Sequence, residues 1–148
     1  MCTGYARKGA PLTIPELAGD DPDELATMTW DEIRAQAERG VDIGSHGVAH
    51  THLTRLSDEE LQRELADSKR QIEDEIGRSC LEVAYPYGEH DERVRRIARE
   101  AGYERGYALW EQSRDPYASP RLDLYRRHSP ERALLRLGFG SSSVSRAK

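Results

Sequence analysis

Residues 80–109, CLEVAYPYGEHDERVRRIAREAGYERGYAL, contain the pattern that decides the fold. Residues 80–85 form a short apolar run that stops at a proline, which predicts a buried strand. Asp91 is then placed to cap a helix, and Gly102 is placed to end it. Residues 105–109 predict the next strand. A strand, a helix and a strand in this order are typical of parallel α/β architecture.

An equivalent unit precedes this one in the chain. The first predicted helix ends at Gly40 and the second at Gly77, with a short strand predicted at residues 41–44 between them. Loops 45–54 and 86–90 each follow a strand. Because parallel strands end at the same edge of a sheet, we expect both loops to contribute to one site. Two pairs have the spacing of a capping box and predict the helix starts: Thr29 with Glu32, and Ser57 with Glu60.

The charge, the apolar runs and the cysteine content of the chain exclude several classes of protein. The chain has 148 residues and a net charge of −5, so it lacks the basic footprint that would indicate nucleic acid as a partner. No apolar run has the length of a membrane span, and the N-terminus lacks the apolar segment of an export signal. These features predict a cytoplasmic protein. Cys2 and Cys80 are too far apart for a disulfide framework and are expected to be reduced thiols, with Cys80 buried.

The chain divides into three parts on its proline, glycine and apolar patterns. Residues 1–28 are predicted to be irregular, and residues 138–148, which consist largely of Gly, Ser and Arg, to be a disordered tail. Residues 29–137 hold the α/β pattern. Within them, residues 122–125 predict a further strand, and residues 130–137 predict a last helix with proline in its first turn.

The loop that follows the first strand, IGSHGVAHTHL at residues 43–53, contains candidate metal ligands. His46 and His50 are four residues apart, so a turn of helix or a helical bend would bring both imidazoles to one side. Neutral imidazole suits zinc, nickel, iron and cobalt. Ordinary loop histidines are the alternative. A catalytic ion would also need a third protein ligand, usually a carboxylate.

The second loop begins with the turn YPYG at residues 85–88. A strand that ends in Pro and Gly turns sharply and exposes backbone N–H groups, which can donate to an oxyanion. Tyr85 and Tyr87 could form the wall of a sugar site, and we predict substrate contacts at Tyr85, Pro86 and Gly88. A simple strand-terminating turn with packed aromatic rings is the alternative.

Together these segments resemble the polysaccharide deacetylase family, which includes chitin and peptidoglycan deacetylases. The resemblance implies an α/β fold, a distorted (β/α) barrel of parallel strands with outer helices, here incomplete. It implies hydrolysis of an N-acetyl amide on a carbohydrate by water that a divalent metal activates, with zinc as our first choice. The stretches that carry the resemblance are MTWDE at residues 28–32, IGSH at 43–46, His50, AYPYG at 84–88 and AGY at 101–103.

The resemblance also implies roles for single residues. His46 and His50 are the metal ligands, and the backbone N–H of Tyr87 assists the metal in stabilising the oxyanion. The family takes its general acid from a late histidine, for which His128 is our candidate. A surface histidine beside Arg126 and Arg127 is the alternative reading of His128.

The chain departs from the family where the chemistry needs carboxylates. Family members begin with a strand ending in adjacent aspartates, one the general base and the other the third metal ligand. The only such pair here, Asp20-Asp21, follows no strand and precedes Pro22, which indicates a solvated loop. The segment CTGY at residues 2–5 resembles the end of the family's second strand, so we expect the chain to lack one βαβ unit. Many members also have an arginine just before Pro-Tyr-Gly, where this chain has Ala84-Tyr85.

Three functions fit these features. The first is a metal-dependent carbohydrate N-deacetylase that is weak or inactive in this form because it lacks the aspartate pair. The second is an inactive remnant or interaction module, in which the exposed edge of an incomplete sheet favours self-association. The third is a metal amidohydrolase acting on a small amide.

Overall fold

The structure, a computed structural model, describes residues 1–6, 26–109, 113–121, 129–131 and 134. The strands within these residues are β1 (Glu82–Ala84), β2 (Arg105–Leu109) and β3 (Ser119–Arg121). Short 3-10 turns lie at Leu53–Arg55, Pro86–Gly88 and Pro116–Ala118. The helices are α1 (Thr3–Ala6), α2 (Trp30–Glu38), α3 (Asp58–Ile76) and α4 (Glu92–Glu100).

The predicted helix caps are confirmed. At the start of α3, Glu60 N–H donates to Ser57 Oγ at 3.3 Å, and Ser57 N–H donates to Glu60 Oε2 at 2.9 Å. Gly77 ends the helix in the left-handed region at φ 65°, which glycine adopts without a Cβ clash. Because these caps pair backbone groups that a helix end leaves unsatisfied, they fix where each helix begins and ends. The other predicted caps are Thr29 with Glu32 on α2, and Asp91 on α4.

The strands form a parallel sheet in the order β1-β2-β3, which confirms the parallel α/β class. Val83 of β1 lies opposite Gly106 of β2, and Tyr107 of β2 lies opposite Ser119 of β3. A parallel bridge adds Ser45 to the other side of β1, again opposite Val83. The described sheet has three strands and does not close, so the barrel stays a prediction.

The predicted strand at residues 41–44 is wrong, since the chain there pairs with β1 only at Ser45. Val41 N–H donates to Gln36 O at 3.1 Å, which ties the start of this segment to the end of α2. A groove of about 190 Å³ opens between residues 42–44 and Leu81. Pairing with β1 therefore begins only at Ser45.

The core lies between the sheet and the buried faces of α3 and α4. Leu61, Leu65 and Ile72 of α3 are fully buried, and Cys80 is buried as predicted. Tyr103 lies in the same cluster and its hydroxyl donates to Leu65 O at 2.9 Å. Burial raises the pKa of Tyr103, so its hydroxyl stays protonated. This hydrogen bond joins the segment before β2 to the backbone of α3.

Several predicted segments lie outside the described residues, among them the strand at residues 122–125 and the tail at residues 138–148. Of the predicted irregular N-terminal segment, residues 1–6 are described and contain α1, and residues 7–25 are not described. Of the predicted last helix, Pro130, Glu131 and Leu134 are helical. Among the described helices, none combines the length and apolar character needed to cross a membrane.

We predict that Gly106→Ala destabilises the protein because β2 passes directly over Tyr85. A Cβ at this position would lie 2.1 Å from Tyr85 Oη and 2.8 Å from Tyr117 O. The expected loss is about 2 kcal/mol or more in the free energy of unfolding, measured by denaturant titration. Combining it with Tyr85→Phe removes the clashing oxygen, so the double variant should lose less than the sum of the two single variants. Full additivity would contradict this close approach.

Candidate functional site

The two predicted ligand histidines lie together, although not on a helix. The His46 and His50 rings are 4.9 Å apart between centroids and nearly perpendicular, at 67°. The chain turns between them through left-handed residues, Gly47 at φ 76° and His50 at φ 55°. The expected proximity is therefore present, but the expected helical bend is replaced by left-handed turns. For a residue with a Cβ, such as histidine, this conformation is strained and needs support from its surroundings.

His46 is held as a neutral imidazole with a fixed orientation. Its Nδ1 is hydrogen-bonded to the carbonyl oxygen of Ala84, at the end of β1. Since that carbonyl can only accept, Nδ1 carries the proton and Nε2 keeps its lone pair. Burial lowers the pKa of His46 to about 4. At neutral pH, a metal ion would therefore not compete with a proton for this nitrogen.

The second predicted loop meets the first through Tyr87. The rings of His50 and Tyr87 are 4.7 Å apart in an edge-to-face arrangement. Tyr87 is also left-handed, at φ 57°, within the turn that Gly88 N–H closes by donating to Tyr85 O at 3.0 Å. His50 and Tyr87 are the only described non-glycine residues with positive φ. Backbone strain is thus concentrated where the two loops touch, which is common at functional sites.

The three residues with predicted substrate contacts, Tyr85, Pro86 and Gly88, are all buried. The Tyr85 ring is 0% exposed, and its hydroxyl donates to Tyr117 O at 2.9 Å inside the core. A Cβ on Gly88 would lie 2.4 Å from Leu109 Cβ, so this glycine serves the close packing of the turn on β2. These residues therefore shape the turn, and their contact with substrate stays a prediction.

The exposed aromatic surface beside the turn is formed by Tyr87 and His52. Their rings are stacked at 4.0 Å with an interplanar angle of 9°. His52 Nδ1 lies 2.9 Å from Glu89 Oε2, which fixes the ring in its stacking plane. His52 retains 28% of its side-chain exposure, so this stack meets solvent at the rim of the site.

Side chains of α3 hold the loop between the histidines by hydrogen bonds. Glu64 Oε1 accepts hydrogen bonds from Val48 N–H at 2.8 Å and Ala49 N–H at 2.7 Å. Ser68, one turn further along α3, lies 2.7 Å from Ser45 Oγ and donates to Gly47 O at 3.1 Å. Neither Glu64 nor Ser68 is among the site residues predicted from the sequence. Their signal was two polar residues four apart on the helix face that also carries the buried leucines.

A guanidinium group lies close to the turn although the turn itself lacks arginine. Arg121, at the end of β3, donates to Tyr85 O at 2.8 Å, directly before Pro86. Its positive charge is one of the smaller causes, after burial, that lower the pKa of His46. The absence of an arginine at Ala84-Tyr85 therefore does not leave this region without a cation.

A cavity of about 350 Å³ adjoins the histidine pair. Residues 1–4 run parallel to the histidine loop. His46 N–H donates to Met1 O at 2.7 Å, and Gly4 N–H donates to Val48 O at 3.0 Å. Cys2 also lines the cavity, and burial raises the pKa of its thiol to about 11. It is therefore a protonated thiol at neutral pH. The remaining lining is largely apolar: Met1, Ala6, Thr27, Met28 and Ile33.

The two histidines fit part of a metal site. Both imidazoles converge on one cavity, and His46 presents Nε2 because Nδ1 is engaged. Among the residues that the structure describes, no third Cys, Asp, Glu or His completes a metal-binding group with them. Asp20, Asp21 and His128, the predicted general acid, lie outside the described residues.

Comparisons with known proteins agree with this arrangement. The sequence model of the family described as polysaccharide deacetylase matches residues 15–106, which include both histidines and the Tyr-Pro-Tyr-Gly turn. The peptidoglycan-N-acetylglucosamine deacetylase of Bacillus cereus is 28% identical over 91 residues, or 62% of this chain and 42% of that protein. YxkH of Bacillus subtilis, which is named after polysaccharide deacetylases, is 29% identical over 79 residues, or 53% of this chain and 28% of that protein. The chain thus spans less than half the length of either relative.

The fold is similar to that of a solved deacetylase. The Streptococcus pyogenes deacetylase PplD, solved in complex with acetate, superimposes with a TM-score of 0.71 and 21% sequence identity. The match covers 90% of this chain and 55% of PplD. At this identity the similarity supports the α/β fold and carries no residue roles.

We predict that His46 makes the stability of the metal-free protein depend on pH. Because its pKa falls from 6.5 in the unfolded chain to about 4 in the fold, the unfolded state binds the extra proton between these values. The contribution of His46 is fully present above pH 6.5 and is lost as the pH falls toward 4, by about 3 kcal/mol at most. Urea titrations of the wild type and His46→Gln in the presence of a chelator measure this slope. Equal slopes in the two proteins would refute the prediction.

Proposed function

This chain belongs to the polysaccharide deacetylase family, and we propose that the protein removes N-acetyl groups from a carbohydrate by metal-dependent hydrolysis. The observation that carries the proposal is the contact between the His46–His50 pair and the Tyr-Pro-Tyr-Gly turn. Both lie where the parallel strands end, which is the edge at which ligands collect in α/β folds.

In this proposal His46 and His50 hold a divalent metal, for which zinc is the first choice because neutral imidazoles suit it. The bound metal would supply Lewis acidity toward the amide carbonyl. The contribution of the chain is orientation: the Ala84 carbonyl fixes the His46 tautomer, and the Tyr87 ring contacts the His50 ring at a steep angle. In the family the general base and the third ligand are both carboxylates, and among the described residues no carboxylate joins the two histidines in a metal-binding group.

Tyr87 is proposed to act through its backbone. Tyr87 has a left-handed backbone conformation in the turn that follows β1, and its ring contacts the His50 ring. From there, its N–H would donate to the oxyanion that develops on the amide oxygen. His128 is kept as the candidate general acid, since a late histidine has that role in the family. The Tyr87–His52 stack is proposed to contact the sugar ring, because aromatic faces bind the apolar face of a sugar.

We predict that the double variant His46→Ala with His50→Ala abolishes metal loading. Zinc content after equilibrium dialysis should fall by about tenfold or more, because both imidazole ligands are removed. His90→Ala is the matched control and should load as the wild type does, since His90 interacts with Arg95 and the Tyr85 ring. Unchanged loading in the double variant would refute the proposed metal site.

A small-amide hydrolase is the second candidate, because the lining of the cavity is largely apolar and its volume is modest. The two candidate functions differ in whether the Tyr87–His52 stack binds the substrate. We predict that His52→Ala weakens binding of an N-acetylglucosamine oligomer about threefold or more, while His52→Phe, which keeps the stack, does not. NMR titration of both variants measures the dissociation constants. Equal oligomer binding by wild type and His52→Ala would favour the small-amide candidate.

A further inference from the structure

The link between the two histidines is only three residues long, and two of its N–H groups point at one carboxylate. Glu64 Oε1 accepts from Val48 N–H at 2.8 Å and from Ala49 N–H at 2.7 Å. These two residues directly precede His50, whose left-handed conformation needs external support. Because one side-chain oxygen accepts from two successive N–H groups, it ties this part of the strained link to α3.

Gly47, the first residue of the link, is held by the hydroxyl groups of Ser45 and Ser68. Ser68 Oγ donates to Gly47 O at 3.1 Å, and Gly47 N–H donates to Ser45 Oγ at 3.1 Å. Ser45 and Ser68 are 1% and 0% exposed. Because these groups are buried, water does not compete for their hydrogen bonds. Both the N–H and the carbonyl group of Gly47 are therefore held in place.

Gly47 and Glu64 fit each other sterically. A Cβ on Gly47 would lie 2.8 Å from Glu64 Oε1, and Gly47 has φ 76°. A larger residue at this position would therefore displace the carboxylate as well as strain the backbone.

We propose that Glu64 is a positioning residue that sets the separation and orientation of the His46 and His50 imidazoles and thereby the affinity for a divalent metal. The carboxylate does not reach the ligand nitrogens; it acts on the backbone between them. The metal-affinity part of this inference rests on the proposed function, whereas the positioning part concerns the metal-free protein alone.

The test compares Glu64→Ala, which removes the acceptor, with Glu64→Gln, which keeps an acceptor oxygen and removes the charge. Glu59→Ala, an exposed change in the first turn of α3, is the matched control. In metal-free protein, NMR hydrogen exchange at Val48 and Ala49 and the NOE between the His46 and His50 rings report the loop geometry. Titration with Co²⁺, followed by its visible absorption, reports metal affinity.

In Glu64→Ala, we expect exchange at Val48 and Ala49 to become about tenfold faster, and the ring NOE to weaken, while the amides of α3 keep their protection. Affinity for Co²⁺ should fall about tenfold, as is usual when a group that orients metal ligands is lost. Glu64→Gln should restore slow exchange, the NOE and most of the affinity. Glu59→Ala should match the wild type throughout.

Slow exchange and an intact NOE in Glu64→Ala would overturn the proposal. Equal loss of Co²⁺ affinity in Glu64→Ala and Glu64→Gln would also overturn it, since charge and not position would then be responsible. If the wild type does not bind Co²⁺, the proposed metal site fails. The exchange and NOE results then decide whether Glu64 positions the two rings.

Discussion

The parallel bridge between Ser45 and Val83 is the constraint on which the site depends. It consists of two backbone hydrogen bonds, Ser45 N–H to Glu82 O at 2.9 Å and Ala84 N–H to Ser45 O at 2.8 Å. Because His46 follows Ser45 directly, this register sets His46 beside the Ala84 carbonyl that binds its Nδ1. A shift by one residue would turn the imidazole to the other side of the sheet and separate it from the turn.

The helix α3 serves both the core and the site. Leu61, Leu65 and Ile72 bury one face of it against the sheet, and this packing supplies the hydrophobic stabilisation. Glu64 and Ser68 lie on the same side of the helix and hold the histidine loop. The position of the loop is therefore coupled to the packing of the core. Such coupling favours a preorganised site, since the polar groups are fixed before any ligand arrives.

The strained backbone conformations of this molecule lie next to aromatic contacts that compensate for them. The left-handed conformations of His50 and Tyr87 are unfavourable, and their rings contact each other edge to face. His52 then stacks on Tyr87, with Glu89 holding the imidazole. The aromatic contacts thus offset part of the backbone cost and join the two loops into one surface.

The local features could be predicted from the amino-acid sequence: the helix caps at Thr29, Ser57, Gly77 and Asp91, the parallel class of the sheet, and the place of both histidines in one loop. These depend on capping, periodicity and turn chemistry, which act between residues a few positions apart. The burial of Tyr85, the start of pairing with β1 at Ser45, and the reach of Glu64 and Arg121 to the loops depend on tertiary packing. These features rest on contacts between residues 15 to 39 positions apart in the chain, whose partners are chosen by packing and register and leave no local pattern in the sequence.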